Sequence, residues 1–105
     1  MISHVNSVQE YNNLVEGKTV VVDFFATWCG PCRMLSPVIE QIDKEGLVKC
    51  DFVKVDVDEL GELAAKYNVS SIPTLLVFKD GVLKETMLGY RPLPELVNSI
   101  NKNIE

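Results

Sequence analysis

Hydrophobic positions recur at helical spacing in four segments of the chain, and each of these segments predicts an amphipathic helix. From the capping and helix-breaking residues, the predicted helices run from Ser7 to Gly17, from Pro31 to about Glu45, from Asp58 to Asn68 and from Pro94 to about Ile104. Ser7 and Glu10 form a capping box, S-x-x-E, at the start of the first helix. Asp58 is the expected N-cap of the third helix, and Asn68 suits a left-handed residue at its end.

Four further segments are rich in β-branched and aromatic residues and predict strands: 19–25 (TVVVDFF), 50–57 (CDFVKVDV), 74–78 (TLLVF) and 82–88 (VLKETML). Ile2–Val5 is a candidate for another short strand. The segment 19–25 is apolar on both faces, which is typical of a central strand covered by helices. Helical crossovers make the early strands parallel, whereas Asp80-Gly81 predicts an antiparallel hairpin at the end. The sequence therefore predicts one α/β domain, residues 1–105, with a mixed central sheet between helices.

Composition and charge narrow the function classes. The chain has 105 residues, 47% hydrophobic and 24% charged, which is enough for one core and leaves no room for a second. An excess of 15 acids over 10 bases gives a net charge of −5, which repels phosphate backbones and disfavours nucleic-acid binding. No apolar run approaches the roughly 18 residues of a membrane span, and the start, MISHVNSVQEY, lacks the basic and apolar regions of a signal peptide. We therefore expect no membrane partner and a cytoplasmic location.

Two of the three cysteines, Cys29 and Cys32, lie where the strand 19–25 gives way to the second helix. At this i, i+3 spacing on a first helical turn the two side chains face the same way, within reach of a disulfide. The amino end of a helix favours an anion, and Cys29 occupies about the N-cap position, where the N–H of Cys32 can donate to its sulfur. Cys29 is therefore the expected nucleophile, with a lowered thiol pKa. Cys32, expected to be more covered, is the resolving thiol.

Two other interpretations of the cysteine pair stay open at this point. A zinc site would need four ligands, and only His4 and Cys50 remain to join the pair, as single residues without paired spacing. A purely structural disulfide would close so small a loop that it would restrain little of the unfolded chain.

The segment WCGPC (28–32) after VDFFAT, followed later by SIPTLLVFKDG (71–81), resembles the thioredoxin family along essentially the whole chain. The resemblance implies the thioredoxin fold and a small thiol–disulfide oxidoreductase that reduces protein disulfides through Cys29 and Cys32. It also implies re-reduction by a thioredoxin reductase and a part in cell redox homeostasis. The Gly30-Pro31 insert is similar to that of the reducing members, so net oxidation is the less favoured direction. No metal or organic cofactor is expected, and a monomer is the default.

A single acid, Asp23, interrupts the apolar strand just before the cysteines, and Lys54 interrupts the segment 50–57 in the same way. An unpaired buried carboxylate would cost several kcal/mol, so such an acid is usually paired, protonated or functional. If the strands adjoin, as the resemblance implies, Lys54 is the partner of Asp23. In the family the matching aspartate assists proton transfer at the second cysteine. The alternative is a buried ion pair that serves structure only.

The resemblance also implies a substrate-binding collar around Cys29, formed by Trp28, Gly30, Pro31, Ile72, Pro73 and Gly89. In the family the Ile72-Pro73 bond is cis and the backbone before the proline pairs with the substrate, which recognises an extended segment without reading its sequence closely. The alternatives are an ordinary turn at Pro73, a half-buried aromatic at Trp28 and a strand bulge at Gly89.

The chain departs from the commonest family pattern at three places: Phe25 where many members have tryptophan, the bulkier rim Tyr90–Pro94, and the extra thiol Cys50. Cys50 is expected to be an inert, half-buried hydrophobe, and a regulatory thiol is the alternative. The rim raises a second hypothesis from another class, a binding module whose reduced collar docks partners and in which turnover is secondary.

Overall fold

The computed structural model describes residues 1–105, and the order of its elements is the predicted one. The strands are β1 (Ile2–His4), β2 (Val20–Phe25), β3 (Asp51–Asp56), β4 (Thr74–Lys79) and β5 (Val82–Leu88). The helices are α1 (Val8–Val15), α2 (Gly30–Glu45), α3 (Gly61–Lys66) and α4 (Leu93–Ile104). None of the four helices combines the length and the apolar character that crossing a bilayer requires.

The five strands form one mixed sheet in the order β1-β3-β2-β4-β5. Strand β3 runs parallel to both β1 and β2, whereas β4 runs antiparallel to β2 and to β5. The predicted combination of parallel strands and a final antiparallel hairpin is confirmed. Because β2 has neighbours on both sides and helices over both faces, five of its six residues are buried, as its apolar sequence predicts.

The alternating side chains of β2 enter two separate hydrophobic cores. Val20, Val22 and Phe24 pack in one core with α1 and α3, and this core also contains Tyr11 and Leu63. The intervening residues point to the other face, where Val21 packs among side chains of α2 and α4. Asp23 is therefore on the side of the sheet that α2 covers.

The predicted hairpin turn is present between β4 and β5. Asp80 and Gly81 have φ angles of 50° and 84°, both in the left-handed region that such two-residue turns require. A Cβ atom at position 81 would lie 2.8 Å from Cα of Gly17, so close packing against the turn after α1 also restricts this position to glycine. Asn68 is left-handed as predicted, with a φ angle of 55°.

One predicted cap is wrong. Helix α3 begins at Gly61 after Leu60, and no side chain caps it. The carboxylate of Asp58, the expected cap, instead accepts a hydrogen bond from the indole Nε1–H of Trp28. A tertiary contact has taken the place of a local one because the ends of the parallel strands β2 and β3 lie at the same edge of the sheet.

Candidate active site at the amino end of helix α2

The cysteine pair lies at the first turn of α2. Cys29 has extended backbone angles and is the N-cap of the helix, and its Sγ accepts a hydrogen bond of 3.2 Å from the N–H of Cys32. The two residues are joined by a disulfide, with their Cα atoms 5.2 Å apart. The predicted position of the pair, its spacing and its backbone hydrogen bond are thus all present.

The burial of the two cysteines differs from expectation. Each side chain is 5% exposed, so the prediction that Cys32 is more covered than Cys29 is wrong. Both pack in a small cluster with Ala26, and Ile72 and Phe25 cover the edge of this cluster. Ile72, from the loop before β4, lies against Cys29 and contributes to its burial.

Asp23 and Lys54 lie opposite each other in the register of β2 and β3. The Nζ atom of Lys54 is 3.9 Å from Oδ2 of Asp23, and the two side chains are 9% and 2% exposed. Oδ1 of Asp23 has no hydrogen-bond partner. The pair that the sequence predicts is therefore present, but the ammonium does not hydrogen-bond to the carboxylate at this distance.

Burial raises the pKa of the Asp23 carboxyl from its ordinary value of 3.8 to about 6, although the nearby charge of Lys54 acts in the opposite direction. Desolvation disfavours the charged form of an acid, and a distant cation offsets only part of that cost. Asp23 can therefore hold or release a proton close to neutral pH, which is what a general base at this place requires.

A cavity of about 250 Å³ lies beside Cys32. Its lining includes Cys32, Lys54, Ser36 and Phe25. Lys54, the partner of Asp23, and Cys32 therefore border one common space that opens to solvent, which is large enough to hold several water molecules.

Three collar residues, Ile72, Pro73 and Gly89, come together from two separate parts of the chain, and Ile72 lies next to Cys29. The bond between Ile72 and Pro73 is cis, and the carbonyl oxygen of Ile72 lies 3.8 Å from Sγ of Cys29. The carbonyl oxygen of Pro73 accepts a hydrogen bond of 2.9 Å from the N–H of Gly89. Gly89 has a φ angle of 83° and lies just after β5, so it is not a bulge within that strand.

The other collar residues border the cysteines along the chain. Trp28 is 67% exposed, which rules out the half-buried alternative. Its indole Nε1 donates to Oδ2 of Asp58 at 2.8 Å, a contact that the sequence analysis missed. An acid directly after the strand beside β2 was the available signal, since the carboxyl ends of parallel strands meet. Gly30 and Pro31 form the first turn of α2 between the two sulfurs.

The three departures from the family pattern lie in different surroundings. Phe25 lies under the ammonium of Lys54, with its ring centroid 4.9 Å from Nζ. Tyr90 is 40% exposed next to Gly89. Cys50 is half-buried, and burial raises the pKa of its thiol to about 11, as expected of an inert cysteine. His4 and Cys50 are not grouped with the cysteine pair, so the ligands of the alternative zinc site do not come together.

Comparison with known sequences finds similar proteins along most of the chain. A family model described as Thioredoxin matches residues 2–102. The chain is 52% identical over 85 residues to a thioredoxin of Bacillus subtilis strain 168, covering 81% of this chain and 82% of that protein. It is 44% identical over 95 residues to a thioredoxin of Staphylococcus aureus strain Mu50, covering 90% of this chain and 91% of that protein.

Solved structures of similar proteins have the same fold. A mutant thioredoxin from Halobacterium salinarum NRC-1 superimposes with a TM-score of 0.90 at 34% identity, covering 99% of this chain and 91% of that chain. A reduced thioredoxin pre-protein of Schistosoma mansoni has a TM-score of 0.83 at 35% identity, covering 98% of each chain.

Proposed function

This chain belongs to the thioredoxin family of protein-disulfide oxidoreductases, and from that premise we propose a role for each residue at the amino end of α2. The Cys29–Cys32 pair carries out thiol–disulfide exchange on disulfide-containing proteins. The observation that carries the proposed roles is the N-cap geometry of Cys29, whose sulfur takes the place of a capping oxygen.

In the first step, the Cys29 thiolate attacks one sulfur of a substrate disulfide. A bond forms between the two sulfurs, and the other substrate sulfur leaves as a thiolate that takes up a proton. The hydrogen bond from Cys32 N–H and the positive end of α2 favour the ionised form of Cys29. This step needs no cofactor, because the electrons come from the protein's own thiol.

In the second step, Cys32 loses its proton and attacks Sγ of Cys29, which releases the substrate as a dithiol. The protein keeps the Cys29–Cys32 disulfide, so two electrons and two protons have passed to the substrate. Asp23 is the proposed general base for Cys32, supported by its raised pKa and by the cavity that Cys32 and Lys54 share. Proximity makes this step intramolecular, which prevents stalled mixed disulfides.

The substrate is proposed to dock as an extended segment on the collar. The exposed ring of Trp28 and the cis Ile72-Pro73 loop flank Cys29, and backbone pairing at Ile72 would hold the segment without selecting its sequence. Gly30, Pro31 and Gly89 complete this surface and add little side-chain bulk to it. Tyr90 would restrict which partners fit at one side.

The proposed partners are a thioredoxin reductase, which returns two electrons to the Cys29–Cys32 disulfide, and proteins with accessible disulfides. We propose that the protein acts in the cytoplasm, because a reducing compartment suits a cysteine pair that works as a dithiol. The functional unit is proposed to be a monomer made of the single domain 1–105.

A trapping experiment tests the proposed roles. Cys32→Ser should accumulate mixed disulfides with substrate proteins, because Cys29 can still attack but nothing releases the adduct. The matched variant Cys29→Ser should form none. If Cys32→Ser accumulates no adduct, the two-step assignment is wrong; if Cys29→Ser retains full biological activity, the docking hypothesis replaces it.

A further inference from the structure

Ser36 of α2 holds the ammonium of Lys54 next to the proposed base. Its side chain lies one helical turn after Cys32, and its Oγ accepts a hydrogen bond of 3.0 Å from Nζ of Lys54. The same Nζ is 3.9 Å from Oδ2 of Asp23. The buried ammonium therefore makes its short hydrogen bond to a neutral hydroxyl and leaves the carboxylate at a distance.

This arrangement is not the one that the two charges alone would favour. An ammonium and a carboxylate attract most strongly in a direct hydrogen bond of about 2.7–2.9 Å, and the attraction is greatest away from water. Asp23 has acceptor capacity for such a bond, because its Oδ1 has no hydrogen-bond partner and its Oδ2 is 3.9 Å from the ammonium. A direct bond would favour the charged form of the acid and weaken it as a base.

We propose that Ser36 is a positioning residue for disulfide reduction, which keeps Lys54 from closing onto Asp23 and so leaves that carboxyl free to take up the proton of Cys32. The proposal rests on the function proposed above for Asp23. The hydroxyl supplies the hydrogen bond that the buried ammonium needs, and the Phe25 ring covers the ammonium from another side at 4.9 Å.

Other ionisable groups surround this arrangement without entering it. From β1, β3, α2 and the loop after β3, the groups that line the cavities next to Lys54 are His4, Asp56, Arg33, Glu40 and Glu59. The ion pair of Lys54 is with Asp23, and its hydrogen bond is with Ser36. The removal of the hydroxyl is therefore expected to act on Asp23 first.

Ser36→Ala tests this inference. Without the hydroxyl, the ammonium should move toward Asp23, its nearest carboxylate, so the measured pKa of that carboxyl should fall by about one pH unit. The titration is followed by carbon NMR of the Asp23 carboxyl in the oxidised protein, where the paired cysteines do not titrate. In the reduced protein, the pH midpoint of mixed-disulfide resolution should move down by the same amount, which a merely structural role would not produce. Alanine is a good helix former, so the variant should fold.

Two controls make the result specific. Ser36→Thr keeps a hydroxyl and should titrate like the unmodified protein. In a Lys54→Met background, Ser36→Ala should leave the titration of Asp23 unchanged, because no ammonium remains to be held.

The inference is overturned if Ser36→Ala leaves the pKa of Asp23 unchanged or raises it, or if the effect persists without Lys54. Failure of the proposed base role would look different. In that case Asp23→Asn would resolve mixed disulfides at the normal rate, while the NMR titration would still report the effect of Ser36 on Asp23.

Discussion

The amino ends of α1 and α2 follow the same local rule with different atoms. At α1, Oγ of Ser7 accepts a hydrogen bond of 3.1 Å from the N–H of Glu10. At α2, Sγ of Cys29 accepts one of 3.2 Å from the N–H of Cys32. Both residues are extended N-caps three positions before their donor. One cap holds a helix in place, whereas the other holds a sulfur that can react.

The surroundings of the two caps decide what each can do. The first turn of α1 contains an acid, Glu10, whose carboxylate also accepts from the N–H of Asn6. The first turn of α2 contains no acid. The positive end of α1 therefore already has its anion, whereas at α2 the sulfur of Cys29 is the group that can take the negative charge.

The two faces of the sheet beneath these helices also differ, because only the face under α2 contains buried charged side chains. Helix α1 packs on the face of β2 that carries Val22 and Phe24, which is entirely apolar. Helix α2 covers the face that contains Asp23 and Lys54. A buried ion pair without a direct hydrogen bond is often no more stabilising than apolar side chains of similar volume, so we infer that Asp23 serves the chemistry of this face rather than its stability.

We expect the largest effect when the cap of α2 is made like the cap of α1, that is, when Cys29 is replaced by serine. Cys29→Ser keeps a good N-cap, so the unfolding free energy of the reduced protein should change by less than about 1 kcal/mol. Reduction of insulin should fall to the uncatalysed rate because the nucleophile is gone. Residual catalysis well above that rate would contradict the role of Cys29.

The acid beneath α2 should make stability depend on pH, with no counterpart beneath α1. The folded protein holds a proton on Asp23 up to about pH 6, whereas the unfolded chain loses it near 3.8. Between those values the folded state binds more protons, so stability should fall as pH rises, by about 3 kcal/mol in all. Asp23→Asn should remove this loss, as measured by denaturant unfolding of the oxidised proteins at several pH values. An identical pH dependence in both proteins would contradict the raised pKa.

We expect the Ser7 cap of α1 to contribute to stability and not to disulfide reduction. Ser7→Ala should lower the unfolding free energy by about 1 kcal/mol, since one backbone N–H at the start of α1 loses its acceptor. The rate of insulin reduction per folded molecule should not change. Ser7→Asp serves as the control, because aspartate caps as well as serine does. A slower reduction by Ser7→Ala would mean that α1 contributes to the site after all.

Much of this contrast could be predicted from the sequence because its causes are local. The capping box at Ser7, the Asp80-Gly81 turn and the double-sided apolar segment around Val22 each depend on a few neighbouring residues. The pairing of Asp23 with Lys54 could also be predicted, since both interrupt apolar strands that the family resemblance implies are neighbours.

The remainder depends on contacts between distant segments. Asp58 follows the local rule for a helix cap, yet its carboxylate binds Trp28 across the edge of the sheet. The hydrogen bond from Lys54 to Ser36 depends on how closely α2 approaches β3, which no sequence pattern specifies. The equal burial of Cys29 and Cys32 results from the Ile72 loop, which covers the first cysteine from a separate part of the chain.

The central claim is that the amino end of α2 holds Cys29 ionised, and titration of that thiol tests it most directly. The measurement is the ultraviolet absorbance of the thiolate in reduced Cys32→Ser protein, so that Cys29 titrates without its partner. Burial raises the pKa of the Cys50 thiol to about 11, so its titration should be separated from that of Cys29. We predict a Cys29 pKa at least one unit below the value of about 8.5 for free cysteine. A value of 8.5 or higher would contradict the account.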